Sequence, residues 1–474
     1  MAQKARDRRA DYDLVILGGG SAGFAAAIRA SELGKSVALV HRGTIGGTCV
    51  NVGCVPTKHL LSVAETFREA TANPFRSLRC EGERQDFRET VRQKNEVVQD
   101  LRKTKYEDVL AELEGVTHFD GIGVFASPHE VRVNNAKIRG RFFLLATGSS
   151  PWAPSIPGLN EGEFWTNVEG LSPQRRPDSL IVVGGRAQGL EFAQMYTRFG
   201  TEVTLLQRSS RILPTAEPEA SEALHAALEE DGVAIRTEVE VRRVRDNGEK
   251  VITATVGTKQ EEFRAAALLM ATGRRANTPD LNLKDAGVAM GEEGEVLVDP
   301  QMRTSVPHIF AAGDVRGGEM LETTAAKEGF LAAENALLDA GRPMDPPEMV
   351  PRAVFTDPQF ASVGDTEASY SARRGVCSCR TIPMDLVSKA RIIGDTRGLV
   401  KMTIDPETRV VVGVQIVSSF AADLIHEAVL AVKHGLTIDD LIDTVHVFPT
   451  QTEALKLVAL SFYRDVARLP CCTQ

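Results

Sequence analysis

The chain has 474 residues, which at roughly 150 residues per domain suggests about three domains. Hydrophobic residues make up 43% and charged residues 25%, a globular mixture that excludes a disordered chain, a collagen and a disulphide-stapled miniprotein. The net charge of −9 argues against nucleic acid or a membrane as partner through bulk charge. There is no apolar run of membrane-spanning length and no secretory signal, so we expect a cytoplasmic protein.

A strand, a glycine-rich turn and a helix of small residues open the chain. Residues 12–17 read YDLVIL, GGGSAG follows, and the helix leads to a second strand that ends at Val40. In such a βαβ unit Gly18 permits the tight turn, Gly20 lets backbone amides approach a pyrophosphate, and Gly23 lets the helix pack on the strand. A lone GxGxxG is a weak signal, but within a βαβ unit it predicts a dinucleotide-binding domain.

The same arrangement returns later in the chain. Residues 179–183 read SLIVV, and a turn from Gly184 to Gly189 precedes a helix and the strand EVTLL. Arg186 stands where the middle glycine belongs, so it either crowds or contacts the pyrophosphate. Two copies of the unit imply two dinucleotide-binding domains.

The residues that follow the second strand of each unit indicate which nucleotide binds. An acidic residue there binds a ribose 2′-hydroxyl, whereas basic residues suit a 2′-phosphate. The first unit has His41, and the second has Gln207 followed by Arg208, two serines and Arg211. Two arginines without an acid favour NADPH over NADH, and the alternative is a solvated basic turn.

The clustered cysteines indicate redox or metal chemistry. Cys49 and Cys54 are separated by four residues, and Lys58 lies four positions after Cys54. A helix dipole and a cation such as Lys58 stabilise thiolates, so the pair is interpreted as a redox couple with lowered pKa values rather than half a zinc site. For the C-x-C pair Cys377 and Cys379, a surface strand or loop is favoured over metal binding. The remaining cysteines are Cys80, Cys471 and Cys472.

Three motifs together resemble the pyridine nucleotide–disulphide oxidoreductase family. They are the N-terminal GGGSAG, GGTCVNVGCVPTK around the first cysteines, and TSVPHIFAAGD at 304–314. The resemblance covers roughly residues 10–474 and implies an α/β fold with two Rossmann-like domains, the FAD domain split by an inserted NAD(P)H domain, and a C-terminal α+β dimerisation domain. The implied domains are 1–150 and 276–346 for FAD, 151–275 for NAD(P)H, and 347–474 for dimerisation. The resemblance also implies a homodimer whose active site takes residues from both chains.

The resemblance further implies roles for single residues. Asp314 would contact the FAD ribitol, and Lys58 and Glu191 would pair beside the flavin. Cys54 would be the flavin-proximal thiol and Cys49 the outer, exchanging thiol. The other expected cofactor contacts are Gly18, Gly20, Gly23, His41, Gly47, Thr48, Thr147 and Gly148 for FAD, and Gly184, Gly189, Gln207 and Arg208 for NADPH. The family usually has glutamate at the His41 position, so weaker FAD binding is expected.

Members of the family that reduce disulphides carry a His-Pro-Thr-x-x-Glu segment, whose histidine is the general acid–base. Here Phe448 occupies the histidine position, before Pro449, Thr450 and Glu453. A phenyl ring cannot shuttle a proton. His446 is two residues away, about 7 Å along an extended segment, and is not assigned this role. The sequence therefore argues against efficient disulphide or dihydrolipoamide turnover.

The chain closes with Cys471 and Cys472. Two thiolates suit a soft ion such as Hg(II). This tail, the Cys49–Cys54 motif and the missing histidine resemble the branch of the family that reduces Hg(II) with NADPH and FAD. In that branch the tail cysteines capture Hg(II) and pass it to Cys49 and Cys54 of the other subunit. The Phe448 position usually carries tyrosine there, so a role for its hydroxyl is in doubt.

Two alternatives remain open. A disulphide or dihydrolipoamide reductase would need His446 or another acid to replace the missing base. A non-enzymatic thiol protein that sequesters soft metals would follow if His41 and Arg186 abolished nucleotide binding. The yellow colour of bound flavin would distinguish this second alternative.

Overall fold

A computed structural model describes most of the chain, in four stretches. The described residues are 10–79, 81–82, 86–159 and 164–469. Among them, no helix is long and apolar enough to cross a membrane.

The chain divides into two compact units, and each combines segments that are distant in sequence. Unit 1 comprises Met1–Pro56, Arg92–Trp152 and Gly273–Asp345. Unit 2 comprises Thr57–Val91, Ala153–Thr272 and Pro346–Gln474. Both parts of the expected FAD domain contribute to unit 1, and the domain boundaries given above stay predictions.

The strands are numbered in chain order. They are β1 (Tyr12–Leu17), β2 (Val37–His41), β3 (Val116–Asp120), β4 (Gly123–Ser127), β5 (Glu130–Val133), β6 (Ala136–Leu145), β7 (Ser149–Pro151), β8 (Ser179–Val183), β9 (Glu202–Leu206), β10 (Ala234–Arg236), β11 (Val239–Asp246), β12 (Lys250–Val256), β13 (Lys259–Ala265), β14 (Ala267–Met270), β15 (Arg274–Ala276), β16 (Ile309–Ala311), β17 (Arg352–Val354), β18 (Gln359–Gly364), β19 (Ser378–Pro383), β20 (Leu399–Ile404) and β21 (Val411–Ser418).

The α-helices are numbered in the same way. They are α1 (Ser21–Glu32), α2 (Gly47–Val52), α3 (Cys54–Thr71), α4 (Phe87–Arg102), α5 (Asp108–Glu112), α6 (Asn167–Gly170), α7 (Ala187–Arg198), α8 (Pro218–Glu230), α9 (Glu322–Leu338), α10 (Glu367–Arg374), α11 (Ser388–Ile393), α12 (Ala421–His434), α13 (Ile438–Asp443) and α14 (Glu453–Leu460). A π-helical stretch, Lys103–Glu107, joins α4 to α5.

Unit 1 is built on a sheet in which β3, β2, β1, β6 and β16 run parallel, and β5 and β4 extend β6 in antiparallel fashion. Alternate residues of β1 are buried in two different clusters. Leu14 and Ile16 pack with the small residues of α1 and α9, whereas Val15 and Leu17 pack on the opposite face. Burial on both faces is why residues 14–17 of this strand are continuously apolar.

The described residues of unit 2 form three sheets. The strands β10, β9, β8 and β14 form a parallel sheet, in which β8, α7 and β9 repeat the arrangement of β1, α1 and β2. The strands β11–β13 form an antiparallel sheet, and β17, β18, β21, β20 and β19 form another whose core includes residues of α12 and α14. The two βαβ units that the sequence predicts are therefore confirmed.

Candidate active site

A cavity of about 650 Å³ lies in unit 1, at the carboxyl ends of the parallel strands β1, β2, β6 and β16. Ligands of open α/β sheets bind at this edge. The cavity is lined by most of the residues expected to contact FAD and by both cysteines of the first pair. These lining residues are Gly18, Gly20, His41, Gly47, Thr48, Cys49, Cys54, Thr147, Gly148 and Asp314.

The three glycines of the first turn have different structural roles. A Cβ on Gly18, whose φ is +122°, would lie 2.0 Å from the carbonyl oxygen of Ala146. A Cβ on Gly23 would lie 1.9 Å from the carbonyl oxygen of Gly18, so this glycine packs the helix on the turn and does not line the cavity. A Cβ on Gly20 would meet only Gly47 Cα, at 3.6 Å, and would otherwise face the cavity. Gly20 is therefore the position at which a side chain would compete with a ligand.

The segment that carries Cys49 is docked on this turn by backbone contacts. The amide of Gly46 donates to the carbonyl of Gly19 at 2.9 Å. A Cβ on Gly47 would lie 2.7 Å from Gly20 Cα, so the two backbones touch. This close approach places α2, with Cys49, beside the predicted pyrophosphate site.

The two thiols of the pair are reduced and interact with each other. Cys49 is half-buried within α2, and Cys54 is exposed at the first residue of α3. A hydrogen bond with Cys54, reinforced by burial, raises the pKa of Cys49. The expectation that both thiols have lowered pKa values is therefore wrong for Cys49, because the hydrogen bond with Cys54 and burial favour its protonated form.

A cation that the motif does not contain faces the cavity. Arg274 Nε lies 2.7 Å from Ser149 Oγ and 3.8 Å from Asp314 Oδ2. Burial lowers the pKa of Arg274, and the charges of Asp314 and Cys54 act in the opposite direction. Arg274 therefore interacts electrostatically with Cys54, although the two residues are far apart in sequence.

Hydrogen bonds of Asp314 and Thr147 connect segments that line the cavity. Ser149 Oγ donates to Asp314 Oδ2 at 2.6 Å. Thr147 Oγ1 donates to the carbonyl oxygen of Asn277 at 2.8 Å, and the Asn277 amide returns a bond to the carbonyl of Thr147 at 2.9 Å. These bonds join the ends of β6 and β16 to the segment around β15.

His41 combines burial with an unused polar atom. Its side chain stacks on His118, with ring centroids 4.3 Å apart. Nδ1 of His41 is buried and has no hydrogen-bond partner among the described residues. Burial, followed by the charge of His118, lowers the pKa of His41. A neutral imidazole at the end of β2 can thus hydrogen-bond a ribose hydroxyl, which is the role expected at this strand end.

In unit 2, Lys58 and Glu191 form the ion pair that the resemblance implies. Lys58 Nζ lies 2.9 and 2.8 Å from the two carboxylate oxygens of Glu191, and 4.5 Å from the ring centroid of Phe355. Glu191 Oε1 also accepts the amide of Phe355 at 3.0 Å. Lys58 therefore forms an ion pair with a carboxylate in unit 2. From the sequence alone, Lys58 is expected to be the cation that stabilises the thiolates.

The second glycine turn repeats the first, with two differences. A Cβ on Gly184 would lie 2.3 Å from the carbonyl of Ala271, and one on Gly189 1.8 Å from the carbonyl of Gly184. Arg186 caps α7 in an extended conformation and is exposed. Gln207 is buried, and its Oε1 accepts the amide of Gly185 at 2.8 Å, so this residue braces the turn.

The basic residues after β9 differ in exposure. Arg208 is exposed, whereas Arg211 is partly buried and its Nε has no hydrogen-bond partner among the described residues. Arg211 Nη2 lies 3.4 Å from the carbonyls of Pro214 and Ala216. A guanidinium with an unused buried donor suits a phosphate, in keeping with the predicted preference for NADPH.

The motif that lacks the acid–base histidine lies between α13 and α14. Phe448 is 50% exposed. His446 Nε2 lies 2.9 Å from Glu427 Oε1, and Nδ1 lies 3.0 Å from the carbonyl of Thr444. Both ring nitrogens of His446 are thus engaged within unit 2. Cys471 and Cys472 lie outside the described residues.

The lining residues that sequence reasoning missed include three polar ones of chemical interest, Arg274, Asn277 and Glu322. Glu322 is the first residue of α9, and its charge contributes to the raised pKa of Cys49. No sequence motif predicts these residues. They line the cavity because β15 and α9 pack near the first βαβ unit in the folded chain.

Two family descriptions cover nearly the whole chain. Residues 12–329 match the pyridine nucleotide-disulphide oxidoreductase family, and residues 350–459 match the dimerisation domain of that family. The chain belongs to the pyridine nucleotide-disulphide oxidoreductase family. The fold class predicted from the sequence is thereby confirmed.

Relatives in this family carry a common name. The chain is 41% identical to a mercuric reductase of Staphylococcus aureus over 467 residues, 98% of this chain and 85% of the relative. It is also 41% identical to a mercuric reductase of Streptomyces lividans, over 97% of this chain and 98% of the relative. The solved Cu(II) complex of the HOCl-induced flavoprotein disulfide reductase RclA from Escherichia coli has a TM-score of 0.85 at 28% identity, over 96% of this chain and 99% of that chain.

FAD and NADPH are the cofactors that membership of this family implies. The residues of unit 1 fit FAD, because Gly20 leaves room for a pyrophosphate, His41 offers a buried Nδ1 without a partner, and Asp314 lines the cavity. In unit 2, Gly184 and the residues after β9 have the chemistry that a nicotinamide dinucleotide phosphate requires.

Proposed function

We propose that this oxidoreductase reduces Hg(II) to Hg(0), with electrons from NADPH and a metal-binding dithiol at Cys49 and Cys54. One observation supports this function over disulphide reduction. A hydrogen-bonded thiol pair lines the cavity, while the position of the acid–base histidine holds Phe448. Reduction of a metal ion held by two thiolates needs electrons but no dedicated acid–base side chain, since the thiolates that leave the metal can be protonated without one.

The reaction balances with one NADPH for each metal ion. Hg(II) held by two thiolates takes up two electrons, and both Hg–S bonds break. NADPH loses a hydride equivalent, one further proton comes from water, and Hg(0), NADP⁺ and two thiols result. Bound FAD supplies the route by which the electron pair passes from NADPH to the metal.

The two cysteines of the pair are suited to different steps. Cys54 lies at the N-terminus of α3 and faces the charge of Arg274, both of which favour a thiolate. Cys49 retains its proton longer, because the hydrogen bond with Cys54 and burial raise its pKa. We assign Cys54 as the flavin-proximal thiolate and Cys49 as the exchanging thiol, with Lys58 and Glu191 in the role that the resemblance implies.

The C-terminal pair would deliver the metal. Two adjacent thiols can take Hg(II) from a small dithiol complex and pass it on by exchange of one Hg–S bond at a time, so that no free ion is released. Cys471 and Cys472 would act in this way on Cys49 and Cys54 of a second subunit. This assembly would be a homodimer, in keeping with the match to a dimerisation domain.

The experiment is NADPH oxidation by the FAD-loaded protein in excess small thiol, with and without Hg(II), while volatile Hg(0) is trapped. We expect oxidation that depends on Hg(II) and yields one Hg(0) per NADPH. Cys49→Ser and Cys54→Ser should each lower turnover at least about a hundredfold, because two thiolates are needed to hold the metal. Cys471→Ser/Cys472→Ser should slow turnover mainly at low Hg(II).

The matched control is Cys80→Ser, which removes a cysteine that has no part in the proposal and should leave turnover unchanged. Oxidation that ignores Hg(II) but responds to a disulphide such as lipoamide would contradict the proposal. It would also show that a residue other than Phe448 supplies the proton.

A further inference from the structure

A second group of potential metal ligands lies in unit 2, apart from the proposed reductase site. Cys377 directly precedes β19, Cys379 is the second residue of β19, and Glu367 is the first residue of α10. One ligand atom from each lies within 4.8 Å of the others, and the two Sγ atoms are 3.5 Å apart. Alternate residues of a strand point to the same face, which brings the two sulfurs together.

The surroundings of this cluster are negatively charged. Lys401 Nζ lies 3.1 Å from Glu367 Oε2, and it also bonds Glu217 at 3.1 Å and Glu219 at 3.0 Å. One ammonium therefore faces three carboxylates. Its bond to one oxygen of Glu367 leaves the other oxygen for a further ligand. An added cation would offset the excess negative charge.

The separation of the sulfurs discriminates between coordination geometries. With metal–sulfur bonds of about 2.3 Å, a tetrahedral ion holds its two sulfurs about 3.8 Å apart, whereas a linear one holds them about 4.6 Å apart. The observed 3.5 Å is close to the tetrahedral value. The pair therefore suits a tetrahedral ion better than linear two-coordinate Hg(II).

We propose that Cys377, Cys379 and Glu367 bind a thiophilic divalent cation of tetrahedral preference, represented by Zn(II), with water as the fourth ligand. Binding forms two metal–sulfur bonds and one metal–oxygen bond and releases the two thiol protons to solvent. The ion would tie the start of α10 to β19, the edge strand of the five-stranded sheet. It would thus stabilise the region that matches the dimerisation domain.

A metal ion that binds the two thiols displaces their protons. Zinc affinity should accordingly rise with pH.

The test uses the full chain with the other two cysteine pairs removed, as Cys49→Ser/Cys54→Ser/Cys471→Ser/Cys472→Ser. In equilibrium dialysis with Zn(II) alone, we expect one equivalent to bind with a Kd below about 10 μM. Adding Cys377→Ser/Cys379→Ser should abolish this equivalent. Glu367→Gln should weaken binding about tenfold, and Cys80→Ser should leave it unchanged.

X-ray absorption at the zinc edge on the four-serine protein, in which the cluster is intact, provides a readout that does not depend on altering the cluster. We expect two sulfur ligands at about 2.3 Å and the remainder oxygen. Failure to bind one equivalent, a shell of oxygen and nitrogen only, or retention of the equivalent without Cys377 and Cys379 would each overturn the proposal. None of these results depends on mercury reduction.

Discussion

At the scale of single residues, identical chemical groups acquire different properties from their surroundings. Cys54 at a helix N-terminus and Cys49 within a short helix belong to one motif, yet the pKa of Cys49 is raised by its bond to Cys54. Arg274, which no motif includes, faces Cys54, whereas Lys58 is held by Glu191. The charge near a reactive group is therefore decided by contacts that are remote in sequence.

The ion pair in unit 2 provides a test at this scale. Glu191→Gln keeps an acceptor for the amide of Phe355 but leaves Lys58 without a counter-charge. Because Lys58 is partly exposed, we expect the free energy of unfolding to fall by only about 1 kcal/mol. We expect kcat to fall about tenfold or more if the pair serves the flavin as the resemblance implies.

Turnover assays and urea denaturation measure these two effects separately. Glu229→Gln, at an exposed carboxylate that pairs with the partly buried His225, is the matched control and should change neither. Unchanged kcat in Glu191→Gln would remove the pair from the proposed mechanism.

The free energy of unfolding below neutral pH should depend on the buried imidazole of His41. Burial, and then the charge of His118, lower the pKa of His41 in the folded protein. The unfolded state therefore binds the proton more readily, and the stability contributed by neutral His41 is lost as pH falls from about 6.5 towards the folded-state value. Urea denaturation between about pH 7.5 and about pH 5.5 should show a smaller loss in His41→Asn than in the native chain.

The control for this prediction is His434→Asn, which replaces an exposed histidine at the end of α12. It should leave the pH dependence of unfolding unchanged. If acidification lowers the free energy of unfolding equally in His41→Asn and in the native chain, the lowered pKa of His41 is contradicted.

At the scale of elements, the two βαβ units show how glycine positions separate folding from binding. The third glycine of each turn, Gly23 or Gly189, lies against the carbonyl of the first, so the helix packs directly on the turn. The middle position faces the cavity at Gly20 in one unit, and in the other it is the exposed Arg186. This position can change without loss of the turn, which is why an arginine is compatible with the second unit.

Substitutions at the two glycines should separate these roles. Gly20 has an ordinary extended backbone, and a Cβ there meets only Gly47 Cα at 3.6 Å. Gly20→Ala should therefore leave the melting temperature of the FAD-free protein nearly unchanged and weaken FAD binding at least about tenfold. Gly23→Ala should destabilise the FAD-free protein by more than about 2 kcal/mol, because its Cβ would lie 1.9 Å from a carbonyl oxygen.

Flavin fluorescence titration and thermal melts measure the two quantities. Neither glycine has a positive φ, so the strain of a left-handed residue enters neither measurement. Equal loss of stability in Gly20→Ala and Gly23→Ala would contradict this division of roles.

At the scale of the whole molecule, an apolar surface lies within the region that matches the dimerisation domain. Val445, Val447 and Phe448 are 85%, 76% and 50% exposed. Apolar side chains exposed together mark a surface that a partner covers. The segment also contains the motif position from which the family's disulphide reductases donate a residue to the other subunit, so a homodimer interface is the expected use.

A charge in this segment should weaken the dimer. Val447→Asp places a carboxylate where an apolar contact is expected, and we expect the dimer dissociation constant to rise at least about a hundredfold in sedimentation velocity. Turnover should fall in parallel, because the proposed metal transfer runs between subunits. Val376→Asp, at another exposed valine of unit 2, is the matched control and should remain as dimeric as the native chain. A Val447→Asp protein with unaltered dimerisation would exclude this segment from the interface.

The sequence by itself determined the fold class, the two βαβ units and the family, and it pointed to ten of the residues that line the cavity. These features depend on local patterns, since an apolar strand, a glycine turn and a small-residue helix specify one another over about thirty residues. Even the pairing of Lys58 with Glu191, across 133 positions, was available from the resemblance.

Only the tertiary structure decided which charges meet the thiols and where the remaining cysteines lie. Arg274 reaches the cavity because β15 pairs with β7, and Glu322 because α9 packs against α1. Cys377 and Cys379 lie close to Glu367 because the start of β19 packs near the start of α10. Such contacts join segments that no local pattern relates, because packing of distant elements sets the distances on which electrostatics and metal binding depend.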